Sequence, residues 1–128
     1  MLAKEPVISA TCIRVPVNDG HMASVFVSFA KKPAREEILS AWKSFNPLKG
    51  LDLPSVPNPF ITVFAEDNRP QTRLDRMLGN GMGISVGRLR DDSVFDYKFV
   101  ALSHNTLRGA AGGAVLTAEL LKVKGFIK

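Results

Sequence analysis

A single cysteine, Cys12, stands in a chain of 128 residues, which excludes an intramolecular disulfide and any zinc or iron–sulfur centre built on several cysteines. Histidine is also scarce. With only His21 and His104 and no clustered acids, no catalytic metal site is expected. Long hydrophobic runs are missing: the stretch from Val94 to Leu102 is broken by Asp96 and Lys98, too soon for a membrane span. The start of the chain shows no apolar signal region before a small-residue cleavage site. The expectation is therefore a soluble, cytoplasmic chain in a reducing compartment, with no membrane partner. Aromatic residues make up only 8% of the chain, and no RNP-like, KH-like or zinc-finger motif is present, so nucleic acid is not expected as a partner.

What the chain does have is length for one domain and a mild positive balance. A domain of this size can bury roughly two-thirds of its unfolded surface, enough for a core without staples. Seventeen Lys plus Arg against twelve Asp plus Glu leave a net charge of +5, spread in ones and twos (Lys31-Lys32, Arg73, Arg76, Arg88, Arg90). Such a surface suits phosphorylated or carboxylated small molecules.

Alternation of Ile13, Val15 and Val17 with Cys12, Arg14 and Pro16, then Asp19-Gly20, then Met22 to Phe29, predicts a strand, turn, strand hairpin. Pro33 followed by Glu36 and Glu37, with Ile38, Trp42 and Phe45 at helical spacing, predicts a helix of about three turns ending near Asn46-Pro47. Half of the eight prolines fall between Pro47 and Pro59, which reads as an extended surface connection. Short strands follow at Phe60–Ala65, Met82–Leu89 and Val94–Leu102. Asn105 to Val123 reads as a closing helix with Asn105 as its N-cap. Gly109, Gly112 and Gly113 inside it each cost about 1 kcal/mol against alanine, so a backbone or a flat ring must approach there, or the helix packs closely on the sheet. Gly79-Asn80-Gly81 lacks the spacing and the following helix of a phosphate loop and reads as a turn. Neighbouring strands outnumber helices. The fold class is α+β: a largely antiparallel or mixed sheet with helices on one face.

In the predicted hairpin Asn18 faces His21, and Arg14, Pro16, Asn18 and His21 share one side, while Ile13, Val15, Val17, Met22 and Phe26 point to the core. Arg14 and Asn18 lie about 13 Å apart along the strand, so a reaching arginine can share a small anion with His21. A guanidinium grips a carboxylate bidentately, and an imidazole takes or gives a proton. The plainer reading makes Arg14 a surface strand residue and His21 a turn residue. Cys12 lies about 20 Å along the strand from Asn18, too far to pair with His21 as a nucleophile, and is expected to be a small buried side chain. His104 reads as a loop residue with a backbone partner.

In order along the chain, Thr11-Cys12-Ile13-Arg14-Val15-Pro16-Val17, Asp19-Gly20-His21, Pro57-Asn58-Pro59-Phe60, Arg69-Pro70-Gln71-Thr72-Arg73-Leu74-Asp75-Arg76, Gly79-Asn80-Gly81-Met82 and Asn105-Thr106-Leu107-Arg108-Gly109-Ala110-Ala111-Gly112-Gly113 resemble the C-terminal part of aspartate-semialdehyde dehydrogenases of the fungal and archaeal-like branch. The resemblance implies the C-terminal domain of the glyceraldehyde-phosphate-dehydrogenase-like fold. It also implies NADPH-dependent reduction of aspartyl 4-phosphate to aspartate 4-semialdehyde, in the synthesis of lysine, threonine and methionine. In that family a cysteine thiolate attacks the acyl phosphate, and a histidine serves as acid and base. By resemblance His21 is that histidine, Arg14 holds the substrate α-carboxylate and Asn105 lies beside the nicotinamide of NADP. The family's nucleophile lies upstream of the matching segment, so Cys12 does not correspond to it. The NADP-binding half lies upstream too. Residues 10–104 then form a catalytic and oligomerisation domain, with a final helix, 105–123, that packs on the cofactor domain, and the chain alone is expected to be inactive. A homo-oligomer acting on a small-molecule substrate follows. The alternative is a non-catalytic oligomerisation or anion-binding module of similar fold.

Overall fold

The computed structural model describes residues 6–128. Pro33 and the acids after it start a helix: α1 runs Arg35–Ser44, with Glu36 and Glu37 in its first turn and Lys43 in its last, each suited to the dipole at its end. The Glu37 carboxylate accepts from the Ala34 backbone N–H at 2.6 Å, supplying the cap that Ala34 lacks.

Four strands form one mixed sheet in the order β1-β4-β3-β2, with β1 His21–Val27, β2 Ile61–Val63, β3 Ile84–Asp91 and β4 Tyr97–Ser103. β1 and β3 flank β4 antiparallel, while the short β2 lies parallel to β3. The fold is α+β with a mixed sheet, as the element pattern predicts. On one face α1 sets Trp42 against Phe99, ring centroids 4.9 Å apart, and Phe45 follows it onto Phe60 at 5.5 Å. Tyr97, on the same face, donates its hydroxyl to the Pro33 carbonyl. The one-turn helix α2, Thr72–Asp75, lies on the opposite side, where Gly87 faces the Arg69 carbonyl and Pro70.

The predicted hairpin does not form. Among the described residues the segment before Gly20 contains no strand, and β1 takes its ladder from β4, with His21 opposite Ser103 and Val27 opposite Tyr97. Ile13, Val15, Val17, Met22 and Phe26, expected in the core, are all exposed, and so is Cys12. Apolar alternation specifies a strand only where a partner edge exists, and no described segment pairs with residues 11–17. Met22 and Phe26 share the open face of the sheet with Val100, and Phe26 leans on Phe95 at 6.0 Å.

The proline-rich connection is no regular element, yet it supplies core. Leu53 joins Met82 and Leu116 in a buried cluster, with Leu48, Leu51, Val56 and Leu120 packed around it. Full burial of such side chains stabilises by roughly 1.5–3 kcal/mol each. Ser55 fastens the connection to the last helix, its N–H and hydroxyl both donating to Glu119.

The closing helix is interrupted at its head. A π-helical turn spans Leu107–Ala111 and hands over to α3, Gly112–Val123. A Cβ on Gly112 would run into the Met82 sulfur, so this glycine serves close packing. At the predicted turn, Gly79, Asn80 and Gly81 adopt φ of 57°, 56° and 78° in succession. A Cβ on Gly81 would also meet the Leu107 side chain. Gly81→Ala is therefore expected to destabilise by at least about 2 kcal/mol, combining left-handed strain with overpacking. A urea midpoint equal to that of the unsubstituted protein would contradict this.

Candidate functional site

The corner that carries His21 is built from three directions. Gly20 has φ +105°, a conformation L side chains rarely adopt, and is buried. A Cβ there would come within 3.2 Å of Leu102 and 3.3 Å of Thr72, so β4 and the start of α2 close on the glycine. The third contact comes from far along the chain: the Gly20 N–H donates to the Asn105 side-chain oxygen at 2.8 Å. His21 follows immediately as the first residue of β1, with its side chain exposed.

Asn105 therefore does not cap the closing helix, as its residue type predicts. His104 does so in its place. Buried at 5% exposure, it accepts at Nδ1 from the backbone N–H groups of Thr106 and Leu107, both at 3.3 Å. Accepting there leaves the ring proton of the neutral imidazole on Nε2. The sequence reading of His104 as a residue with a backbone partner is the observed one, but its capping role carries no distinct signal in the sequence.

Arg14 lies in the irregular segment before β1 and is exposed. Without the hairpin, strand alternation does not place its guanidinium beside His21, and no hydrogen bond joins the two residues in the described structure. Neither lines the roughly 380 Å³ cavity between α1, β2 and β3, whose walls include Arg35, Asp67, Arg88 and Arg90. The structure thus ties the residue before His21 to Asn105, and among the described residues shows no hydrogen bond from Arg14 to either.

Beneath the corner, Asp75 is 2% exposed and organises the turn before α2. Its Oδ2 accepts from Arg69 Nε at 2.8 Å and from the Gln71 N–H at 2.6 Å, while Oδ1 meets Arg69 Nη2. Burial alone would raise the Asp75 carboxyl, but the hydrogen bonds from Arg69 and Gln71 and the guanidinium charge outweigh it and hold the group below its ordinary value. Arg69 also stacks over the Phe64 ring at 4.5 Å. Arg108, in the π-helical turn, donates to the Met82 carbonyl and lies over Phe60 at 4.6 Å, and burial lowers its guanidinium.

No helix in the described residues is long and apolar enough to cross a membrane. Residues 1–108 match the family model of the semialdehyde dehydrogenase dimerisation domain. The chain is 51% identical over 114 residues to the aspartate-semialdehyde dehydrogenase of Archaeoglobus fulgidus, a match covering 89% of this chain and 32% of the relative. With the enzyme of the same name from Aspergillus fumigatus it shares 46% identity over 126 residues, covering 94% and 35%. Among solved structures, the aspartate semialdehyde dehydrogenase with NADP from Candida albicans superposes with a TM-score of 0.78 at 44% identity, covering 89% of this chain and 33% of that one. The chain thus spans about a third of the length of these relatives. It belongs to the semialdehyde dehydrogenase family, within the dimerisation domain.

Proposed function

We propose that the chain is the part of an aspartate-semialdehyde dehydrogenase that carries the acid/base group and the substrate-carboxylate anchor, for NADPH-dependent reduction of aspartyl 4-phosphate to aspartate 4-semialdehyde. One observation carries the reading. The motif that the resemblance assigns to proton transfer and the motif it assigns to the cofactor, far apart in sequence, are joined directly by the hydrogen bond from Gly20 to Asn105.

The residues present divide the work. His21, exposed at the head of β1, moves a proton to or from the reacting oxygen. Arg14 pairs with the substrate α-carboxylate, a fork on a planar acid, once the rest of the protein orders its segment beside His21. NADP, when bound, supplies or accepts the hydride. Toward it the chain offers Asn105, whose oxygen is taken by Gly20 and whose Nδ2 keeps its donors for an acceptor on the cofactor. The outer side of α3 and its tail, with Val115, Leu121, Val123, Phe126 and Ile127 exposed, suits docking on a cofactor domain. The open sheet face with Met22, Phe26 and Phe95 suits a second copy, in keeping with a homo-oligomer. A cytoplasmic setting, where thiols stay reduced, fits chemistry that needs a free cysteine nucleophile.

The test is an assay of NADPH formation from aspartate 4-semialdehyde and phosphate. The complete polypeptide is expected to turn over only when phosphate is present, and the 128-residue chain not at all. Turnover by the short chain, or none by the complete polypeptide, sinks the proposal.

A further inference from the structure

We infer that Asn105 is a positioning residue for His21, holding the corner that aims the imidazole, in addition to any contact it makes with the cofactor. The inference rests on the proposed function for its catalytic half; the tether itself rests on geometry alone.

Gly20 is the last residue before the β1 ladder begins, and its N–H donates to Asn105 in the connection that leaves the sheet after Ser103. A buried backbone N–H needs an acceptor, and no strand supplies one here. Asn105 supplies it at 2.8 Å. Because the partner is a donor, the side-chain atom facing Gly20 must be the oxygen, which settles which way the amide points. The His104 ring, by taking the Thr106 and Leu107 N–H groups, does the capping that would otherwise compete for that oxygen.

The corner has little freedom to compensate. Gly20 is gripped by Leu102 on β4 and Thr72 on α2, its φ of +105° suits glycine alone, and the His21 backbone is already committed opposite Ser103. Among the hydrogen bonds of the described residues, the one from Gly20 to the Asn105 amide is what links the head of the closing helix to this corner. A cofactor drawing on Nδ2 would therefore pull on the same amide plane that sets His21, so binding on one side and proton transfer on the other share a part.

The experiment compares Asn105→Ala with Asn105→Asp in the complete polypeptide. Asp keeps an acceptor oxygen where Ala has none. Hydrogen exchange, followed by mass spectrometry on the peptide containing Gly20, is expected to quicken by about tenfold or more in Asn105→Ala and to return toward the unsubstituted rate in Asn105→Asp. At saturating NADP the same pair is expected to lower kcat by about tenfold or more in Asn105→Ala and largely restore it in Asn105→Asp, while KM for NADP stays raised in both because Asp lacks the Nδ2 donors; a residue serving the cofactor alone would raise KM for NADP and leave kcat and exchange untouched. Unchanged exchange in Asn105→Ala, or no recovery of exchange in Asn105→Asp, overturns the tether. Faster exchange with unchanged kcat overturns the positioning role. A complete polypeptide that shows the exchange pattern but reduces no NADP leaves the tether standing and removes the proposed activity, so the two failures are told apart.

Discussion

His21→Ala in the complete polypeptide is expected to lower kcat for aspartate 4-semialdehyde by at least about 100-fold while KM for the same substrate changes little. The split follows from where the side chain stands. His21 is exposed at the mouth of β1, carries none of the described hydrogen bonds with its ring, and packs on nothing that its removal would collapse. Loss of the ring should therefore remove proton transfer without loosening the fold, and thermal stability should be the same before and after. Substrate affinity rests on the carboxylate anchor, so Arg14→Ala should show the opposite pattern, a raised KM with a smaller effect on kcat. A near-normal rate in His21→Ala would favour a non-catalytic module of the same fold.

Features set by neighbouring residues are legible in this chain, and features set by distant partners are not. The start of α1 is legible because Pro33 and the acids after it act within one turn, and the extents of β3 and β4 fall within three residues of their predicted ends. The hairpin fails for a physical reason: Asp19-Gly20 does bend the chain, with Gly20 at φ +105°, but a turn residue cannot say which strand will pair with the segment leaving it. β1 finds β4, whose paired residues lie seventy or more positions on. The same limit hides the site. Asn105 has the residue type of a cap, and only the fold shows that its oxygen is spent on Gly20 while His104 caps instead. No periodicity or spacing announces the hydrogen bond from Gly20 to Asn105, because β1 and β4 must first pair before a turn and a helix head 85 residues apart can meet.

Asp75→Ala is expected to destabilise the protein by about 1–3 kcal/mol at neutral pH, from the Gln71 N–H left without its acceptor. Arg69 also loses its carboxylate partner, but it stays partly exposed and can turn to water, so the ion pair itself adds less. The sign of the pH dependence follows from the lowered Asp75 group. Its contribution is complete above the unfolded carboxyl value near 3.8 and fades as pH falls through the lower folded value. Denaturation midpoints of the unsubstituted protein and of Asp75→Ala should thus differ most above about pH 5 and converge toward pH 2. Equal midpoints at pH 7, or a gap that widens in acid, would be incompatible with the geometry. The consequence reaches the site as well. Asp75 holds the Gln71 N–H that opens α2, α2 begins with Thr72, and Thr72 is one of the walls that keep Gly20 in place. A chain without Asp75 should accordingly exchange the Gly20 amide faster even at temperatures where it stays folded, coupling the buried ion pair to the corner that presents His21.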